Sequence, residues 1–377
     1  MSVCEPEILN PIAQNFSCNN CGNCCTRAWK VKVDPEKVPD LEKSRTFQGL
    51  KSEGFLPLRV IEGETRVGRR ESGACGFRQD GGCTIHAELG PFAKPVVCQL
   101  YPFSAVNTPD GYYLSLSFSC PTVLENSGAE VTSHIPGLKR ALGESSFFSN
   151  QAMSRDTRVP LYGRESVDWA EYLSLEDELW EEISGDNPMK ELLKAAAKVL
   201  NKGQFDLDNF AAVISDFSFY TAYGIATLEH PKDGEKREKM CLALQAEEKP
   251  FSGLLSSTLP VFMPTKPEHE VTRRLFHRYM ENQIRGKQLI SEGTLLSRVL
   301  MLAVSCTIAL YYLEARTEGS EPTREDLAWV FHLVETAISG HSNVFHDLFR
   351  QYEASVLRAL GRALDSDSSE EKSEPGV

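Results

Sequence analysis

Apolar residues recur at helical spacing through the second half of the chain, and the first third lacks that rhythm. Leu175, Leu179 and Ile183 are four apart, with Trp180 beside them, and predict one amphipathic helix. Leu192, Leu193, Ala196, Val199 and Leu200 predict a second. Pro264 and Pro267 precede a longer pattern, Val271, Leu275, Tyr279 and Ile284, which Gly286 ends or weakens. The apolar run Val299–Leu313, interrupted by Ser305 and Thr307, reads as a buried helix, shorter than the roughly 20 residues that span a bilayer. Thr323 with Asp326 can cap the next helix, which carries Leu327, Val330, Phe331 and Val334. Val344 to Leu360 reads as the last.

The first third alternates instead. Trp29-Lys30-Val31-Lys32-Val33 sets bulky residues against basic ones, as a half-exposed strand does, and Tyr112–Phe118 repeats the pattern. Pro35, Pro39, Pro91 and Pro95 punctuate the loops between. The fold class expected is α+β: a small, irregular, cysteine-rich metal-binding domain with short strands over 16–125, then a mainly α-helical domain over 166–364. Residues 126–165 read as a linker, and the acidic 365–377 as a disordered tail.

Composition changes this picture in one direction. The 377 residues are 41% hydrophobic and 25% charged, an ordinary globular balance, but the net charge is -13. An acidic chain lacks the clustered Lys and Arg that neutralise phosphates, so nucleic acid is not an expected partner. The opening MSVCEPEILN has neither the basic start nor the apolar stretch of a secretion signal. A cytoplasmic protein without membrane insertion is the expectation. Eleven cysteines in such a compartment argue for metal or redox chemistry over structural disulfides.

Eight of them, Cys18, Cys21, Cys24, Cys25, Cys75, Cys83, Cys98 and Cys120, fall between residues 18 and 120. Cys18, Cys21 and Cys24 share the C-x2-C-x2-C opening of ferredoxin cluster loops, and Gly22 permits a tight backbone between them. Cys25 cannot point the same way as Cys24. The Asp80-Gly81-Gly82 stretch reads as a turn that brings Cys75 and Cys83 close. Soft thiolates select zinc, copper(I) or iron–sulfur clusters over magnesium or calcium. Eight can fill two four-ligand sites, or four can bind one centre while the rest surround it. Structural zinc without catalysis, stapling an interaction module, is a competing reading, and an electron-transfer or metal-handling protein is another. His86 is a possible further ligand, although a lone loop histidine is more often satisfied locally. Cys306, inside the apolar run, reads as a small core residue.

Phe16-x-Cys18-x2-Cys21-Gly22-x-Cys24-Cys25, Trp29-x-Val31-x-Val33-Asp34, Cys75-x-Phe77, Gly82-Cys83-x-Ile85-His86 and Cys98-x2-Tyr101-Pro102 together resemble the CxxCxxCC (YkgJ-type) family of zinc- or iron-chelating proteins, over about residues 16–122. The branch in view is the flagellin lysine-N-methylase (FliB) type. That resemblance implies an iron–sulfur centre, [4Fe–4S] with zinc as the alternative, the eight cysteines as ligand candidates, and S-adenosylmethionine-dependent methylation of a lysine-bearing protein such as flagellin. The chain departs from the usual methyltransferase design: no glycine-rich loop follows a strand, and there is no CxxxCxxC motif. The cofactor-binding residues stay unassigned. Asp34 is a candidate base for lysine deprotonation, with a capping or turn role before Pro35 as the alternative.

Other residues weigh less. Arg69 and Arg70 can contact an anionic cofactor or form a solvated basic loop. His269 and His277, two helical turns apart, are too far for a local metal pair. Phe217, Phe219, Tyr220 and Tyr223 read as core-facing aromatics or pocket lining. His332, His341 and His346 make no metal set.

Overall fold

The computed structural model describes residues 7–26, 30–79, 82–144, 156–200, 269–290 and 293–336, together with 154 and 267. Trp29, the Asp80-Gly81 step, Cys4, Cys241, the aromatics at 217–223, Pro264, the helix expected over Val344–Leu360 and the tail lie outside the described residues. The chain divides into two compact units, Met1–Ser154 and Arg155–Val377.

The first unit is assembled from short pieces. In chain order they are β1 (Ile8–Leu9), α1 (Asn23–Thr26), α2 (Val38–Lys43), α3 (Arg45–Ser52), β2 (Leu58–Ile61), β3 (Glu64–Val67), β4 (Arg78–Gln79), β5 (Gly82–Cys83), α4 (Thr84–Leu89), α5 (Val96–Leu100), β6 (Phe103–Thr108), β7 (Gly111–Leu116), α6 (Pro121–Glu125) and α7 (Ile135–Glu144). β6 and β7 form an antiparallel hairpin with Phe103 opposite Leu116, and β1 adds in parallel on the far side of β7. Tyr112, Leu114 and Leu116 point into the core, the alternation expected of this stretch.

A separate small core gathers Val31, Val33, Leu41, Phe47, Leu50, Val67, Phe77 and Ile85. Val31 and Val33 are buried while Lys30 is exposed, as the sequence pattern required. Their segment runs beside β3 through Val33 N–H to Thr65 O (2.8 Å) and Val67 N–H to Val31 O (2.9 Å), joined by the Lys32–Arg66 bridge. Cys75, Cys83 and Cys98 pack against this same core.

The stretch 126–165 carries regular structure. Leu138, Ala141 and Leu142 are buried on one side of α7, and β8 (Val159–Tyr162) pairs with β9 (Glu165–Val167). The i, i+3, i+4 spacing of those three residues is a helical signal within an otherwise polar stretch.

Among its described residues the second unit is mainly helical, with the β8–β9 hairpin followed by α8 (Trp169–Glu181), α9 (Pro188–Val199), α10 (Glu270–Arg285), α11 (Leu295–Thr317) and α12 (Arg324–Val334). α10 stops before Gly286, and α12 begins with the expected Thr323–Asp326 capping box. α11 outruns the apolar stretch that announced it and meets the length and apolarity of a membrane span. Yet 89% of its apolar window is buried inside the unit, the position of a bundle's core helix. The hydroxyls of Ser305 and Thr307 donate back to Met301 O and Ala303 O, both at 2.8 Å, so neither interrupts the helix. Cys306 is fully buried among apolar residues, a core position.

Candidate metal centre

The loop from Cys18 to Cys25 takes its shape from two left-handed residues, Asn20 (φ 60°) and Gly22 (φ 71°). Asn19 Oδ1 accepts the Cys21 N–H at 3.2 Å, and Cys25 N–H closes onto Gly22 O at 2.9 Å before the single turn of α1. The loop lies on the β4–β5 hairpin: a Cβ on Gly22 would come within 2.5 Å of Arg78 Nε, and one on Gly82 within 3.0 Å of the Asn20 amide. That contact carries the first cysteines to the second group.

The hairpin itself sets Arg78 opposite Cys83 and Gln79 opposite Gly82. Arg78 N–H bonds Cys75 O at 3.0 Å, and Thr84 N–H bonds Phe77 O at 2.9 Å, so Cys75 and Cys83 come together as expected. Cys75 also donates its N–H to Cys25 O at 2.7 Å. The same carbonyl accepts Arg69 Nη1 at 3.2 Å, and Arg69 reaches Gly73 O at 3.3 Å. Arg69 is thus a structural tie between two cysteine segments, a role its sequence context did not announce. Arg70 stacks over Phe55 at 5.4 Å. Cys98 rides on α5, and Cys120 is the N-cap residue of α6.

The thiols fall into two sets. Cys24 and Cys25 have sulfurs 4.0 Å apart. Cys24, Cys75, Cys83 and Cys98 are in mutual electrostatic reach, and Cys120 feels Cys21 instead. Burial, with Cys75, Cys83 and Cys24 nearby, pushes the Cys98 thiol up to about 12; Lys94 alone pulls the other way. The Cys24 thiol is raised by its contact with Cys25 and then by burial, and Cys75 and Cys120 chiefly by burial. Burial and neighbouring thiols thus oppose ionisation of Cys24, Cys75 and Cys98, and a cation binding them would displace their protons. Cys18 and Cys21 are exposed, at the outer side of the group.

The other candidates lie elsewhere. Burial, and then Lys94, lower the His86 pKa. Asp34 accepts the Val96 N–H on Oδ2 at 2.8 Å. His277 packs on Trp180 at 5.0 Å, and His269 precedes α10 as its N-cap residue. Lys94 was missed in the sequence, because a lysine between Pro91 and Pro95 carries no periodic or motif signal.

Residues 17–121 match the family model CxxCxxCC, described as "Putative zinc- or iron-chelating domain". This stretch is similar to that domain. All eight clustered cysteines fall within the match, with Cys18, Cys21, Cys24 and Cys25 as the motif that gives the domain its name. No curated protein and no solved structure matches the chain. The donor chemistry of the CxxCxxCC domain fits its description, since thiolates bind zinc and iron alike. Position is a stricter test. Among the described residues no three or more His, Cys, Asp or Glu side chains already stand as a ligand set for one ion. The backbone brings the cysteine segments together, and closing a coordination sphere requires the thiol side chains to turn toward one point.

Proposed function

We propose that the CxxCxxCC domain holds an iron–sulfur centre, [4Fe–4S], on Cys24, Cys75, Cys83 and Cys98, with Cys18, Cys21, Cys25 and Cys120 as the remaining candidate ligands. In this reading the chain is a cytoplasmic, S-adenosylmethionine-dependent lysine N-methyltransferase that acts on a lysine-bearing protein such as flagellin. The observation that carries it is the gathering of Cys75, Cys83 and Cys98 against one small core inside the matched domain, with Cys24 near enough to raise the Cys75 and Cys98 thiols. The enzymatic part rests on the resemblance to the methylase branch. When bound, such a cluster, held by four thiolates, would supply an electron for the sulfonium of S-adenosylmethionine. The chain's own part is to fix the thiolates and to keep their surroundings apolar.

One observation favours a second reading, a zinc-stapled interaction module. Cys75, Cys83 and Cys98 border a core of eight buried apolar residues, small enough to gain from a metal cross-link. Anaerobic purification followed by iron, sulfide and zinc analysis with EPR decides between them. The cluster reading expects a brown protein with about four irons and four sulfides per chain; stoichiometric zinc without sulfide overturns it. Methyl transfer from labelled S-adenosylmethionine to a lysine-containing acceptor tests the enzymatic part, and no transfer by the iron-loaded chain overturns that.

A further inference from the structure

Cys98 sits in the middle of α5, a helix of five residues. A helix this short does not hold itself, because nucleation fixes several residues for a single hydrogen bond. It starts after Pro95, and its first N–H groups need acceptors from outside. The Val96 N–H finds one 62 residues away, on Asp34 Oδ2 at 2.8 Å. A carboxylate there also suits the positive end of the helix.

Asp34 is itself anchored. Val33 before it is buried and tied to β3, and Lys37 N–H bonds back to Asp34 O at 2.9 Å to make the turn Pro35–Lys37. From that turn Lys37 Nζ reaches Phe92 O at 2.9 Å, in the segment that leads into α5. The Gln99 amide folds back onto Phe92 O and Lys94 O at 3.2 and 2.8 Å. Residues 33–37 therefore grip residues 92–96 at two points. Because Val31, Val33 and Cys98 pack on the same core, the grip fixes where the thiol stands.

We propose that Asp34 is a positioning residue: its hydrogen bond to the Val96 backbone aims α5 so that Cys98 joins Cys24, Cys75 and Cys83 in one metal site. This rests on the metal-binding reading above. It differs from a base at the reaction centre, because the carboxylate acts through the backbone and touches no substrate.

The test uses the full chain, stripped of metal and titrated anaerobically with cobalt(II), whose thiolate-to-metal absorption counts bound sulfurs. Cys98→Ser should lower that absorption by one thiolate's share. Asp34→Ala should give the same loss, weaken cobalt affinity by about 10- to 100-fold, and leave Cys98 open to iodoacetamide while Cys24, Cys75 and Cys83 stay protected. Asp34→Asn keeps an acceptor oxygen for the Val96 N–H, and should restore the absorption and the protection of Cys98. Should Asp34→Ala fail to fold, the rescue by Asn against a loss in Asp34→Leu carries the same decision. Wild-type absorption with Cys98 protected in Asp34→Ala overturns the proposal, as does equal loss of protection at all four cysteines. A wild-type chain with no thiolate-to-cobalt absorption overturns the metal reading itself, so the two failures are distinct.

Discussion

In the first unit the described helices run from four to ten residues, and no strand exceeds six. In the second the helices run from 11 to 23. The capping differs in the same sense. α8, α11 and α12 each open with a capping box made within three residues, Asp168 with Glu171, Thr294 with Ser297, and Thr323 with Asp326. In the first unit α3 has a local cap, Ser44 Oγ accepting the Phe47 N–H at 3.1 Å, but acceptors also come from far away: Asp34 for α5, and Glu88 for α3, whose carboxylate accepts the Arg45 and Thr46 N–H groups across more than 40 residues. Long helices with local caps carry their own instructions, and burial of an apolar face completes them. Short helices capped from a distance form only when the whole unit forms. The unit that gathers the thiols is therefore the one whose geometry is set cooperatively.

The largest test of that contrast is metal removal. Ligand thiols in a domain with a small core tie metal binding to folding, an effect on the order of 10 kcal/mol in small zinc domains. Exhaustive chelation should strip hydrogen-exchange protection from the Cys75–Cys83 hairpin and from α5, and leave α11 protected. Equal loss in both units would erase the distinction drawn here.

The second unit has its own vulnerable point, and it is a buried charge. Lys287 (φ 58°) is 3% exposed at its side chain, bonds Glu176, and lies 5.8 and 5.5 Å from the rings of Trp169 and Tyr172. Tyr172 OH donates to Glu176 at 2.6 Å, and Arg285 stands 3.6 Å from the same carboxylate. Burial pushes the Glu176 carboxyl up and the Lys287 ammonium down, each against the pull of the other. Glu176→Ala strands the ammonium without that counter-charge and should cost about 3–5 kcal/mol in denaturant unfolding. The double variant with Lys287→Met should recover much of it. A single variant that melts like wild type would show the pair to be dispensable.

Little of that pair was visible in the sequence. Glu176 lies on a helix foreseen from Leu175, Leu179 and Ile183, but its partner is 111 residues on, and spacing rules see only near neighbours. The same limit governs the site. The cluster of cysteines, the strand around Tyr112–Leu116 and the cap at Thr323 were legible, because each is a local pattern. The division of the thiols into an inner set and the Cys21–Cys120 pair was not, nor was the tie from Arg69 to Cys25 O, because backbone contacts 44 residues apart decide them. Asp34 was singled out for its place after the Val31–Val33 segment, but its bond to the Val96 N–H, 62 residues on, was not foreseen.

The raised thiols give the first unit a steeper pH dependence than the second, where Cys306 is the one thiol among the described residues that burial raises. A thiol whose folded pKa lies above its unfolded value contributes stability that is complete below the unfolded pKa, near about 8.5. That stability is lost as the pH rises toward the folded value, because the unfolded chain ionises first. Cys98, held up at about 12, covers that whole window, and Cys24, Cys75 and Cys120 shift the same way. Apo protein taken from pH 7.5 to 9.5 should lose about 1 kcal/mol for each such thiol. The loss is read as a larger fall in hydrogen-exchange protection in the first unit, with four such thiols, than in the second, with Cys306. Metal-loaded protein should show no such loss, its thiols having given up their protons already.

The smallest effect is the sharpest comparison. Gly22 (φ 71°) and Gly319 (φ 81°) both hold left-handed backbone, one in the cysteine loop and one just after α11. An alanine at either should cost about 1–2 kcal/mol from backbone strain alone. Around Gly319 a Cβ meets nothing within 4 Å, whereas at Gly22 it meets Arg78 Nε at 2.5 Å and must push the guanidinium aside. Arg78 sits on the strand opposite Cys83, so the disturbance at Gly22 reaches the hairpin that presents a thiol. Gly319→Ala should lower the stability of its own unit and leave cobalt binding unchanged. Gly22→Ala should add to a similar strain a several-fold weaker cobalt affinity, as outer contacts to ligating residues do. Equal cobalt affinity in the two variants would mean that the loop and the hairpin present their sulfurs independently, against the cooperative assembly inferred for the first unit.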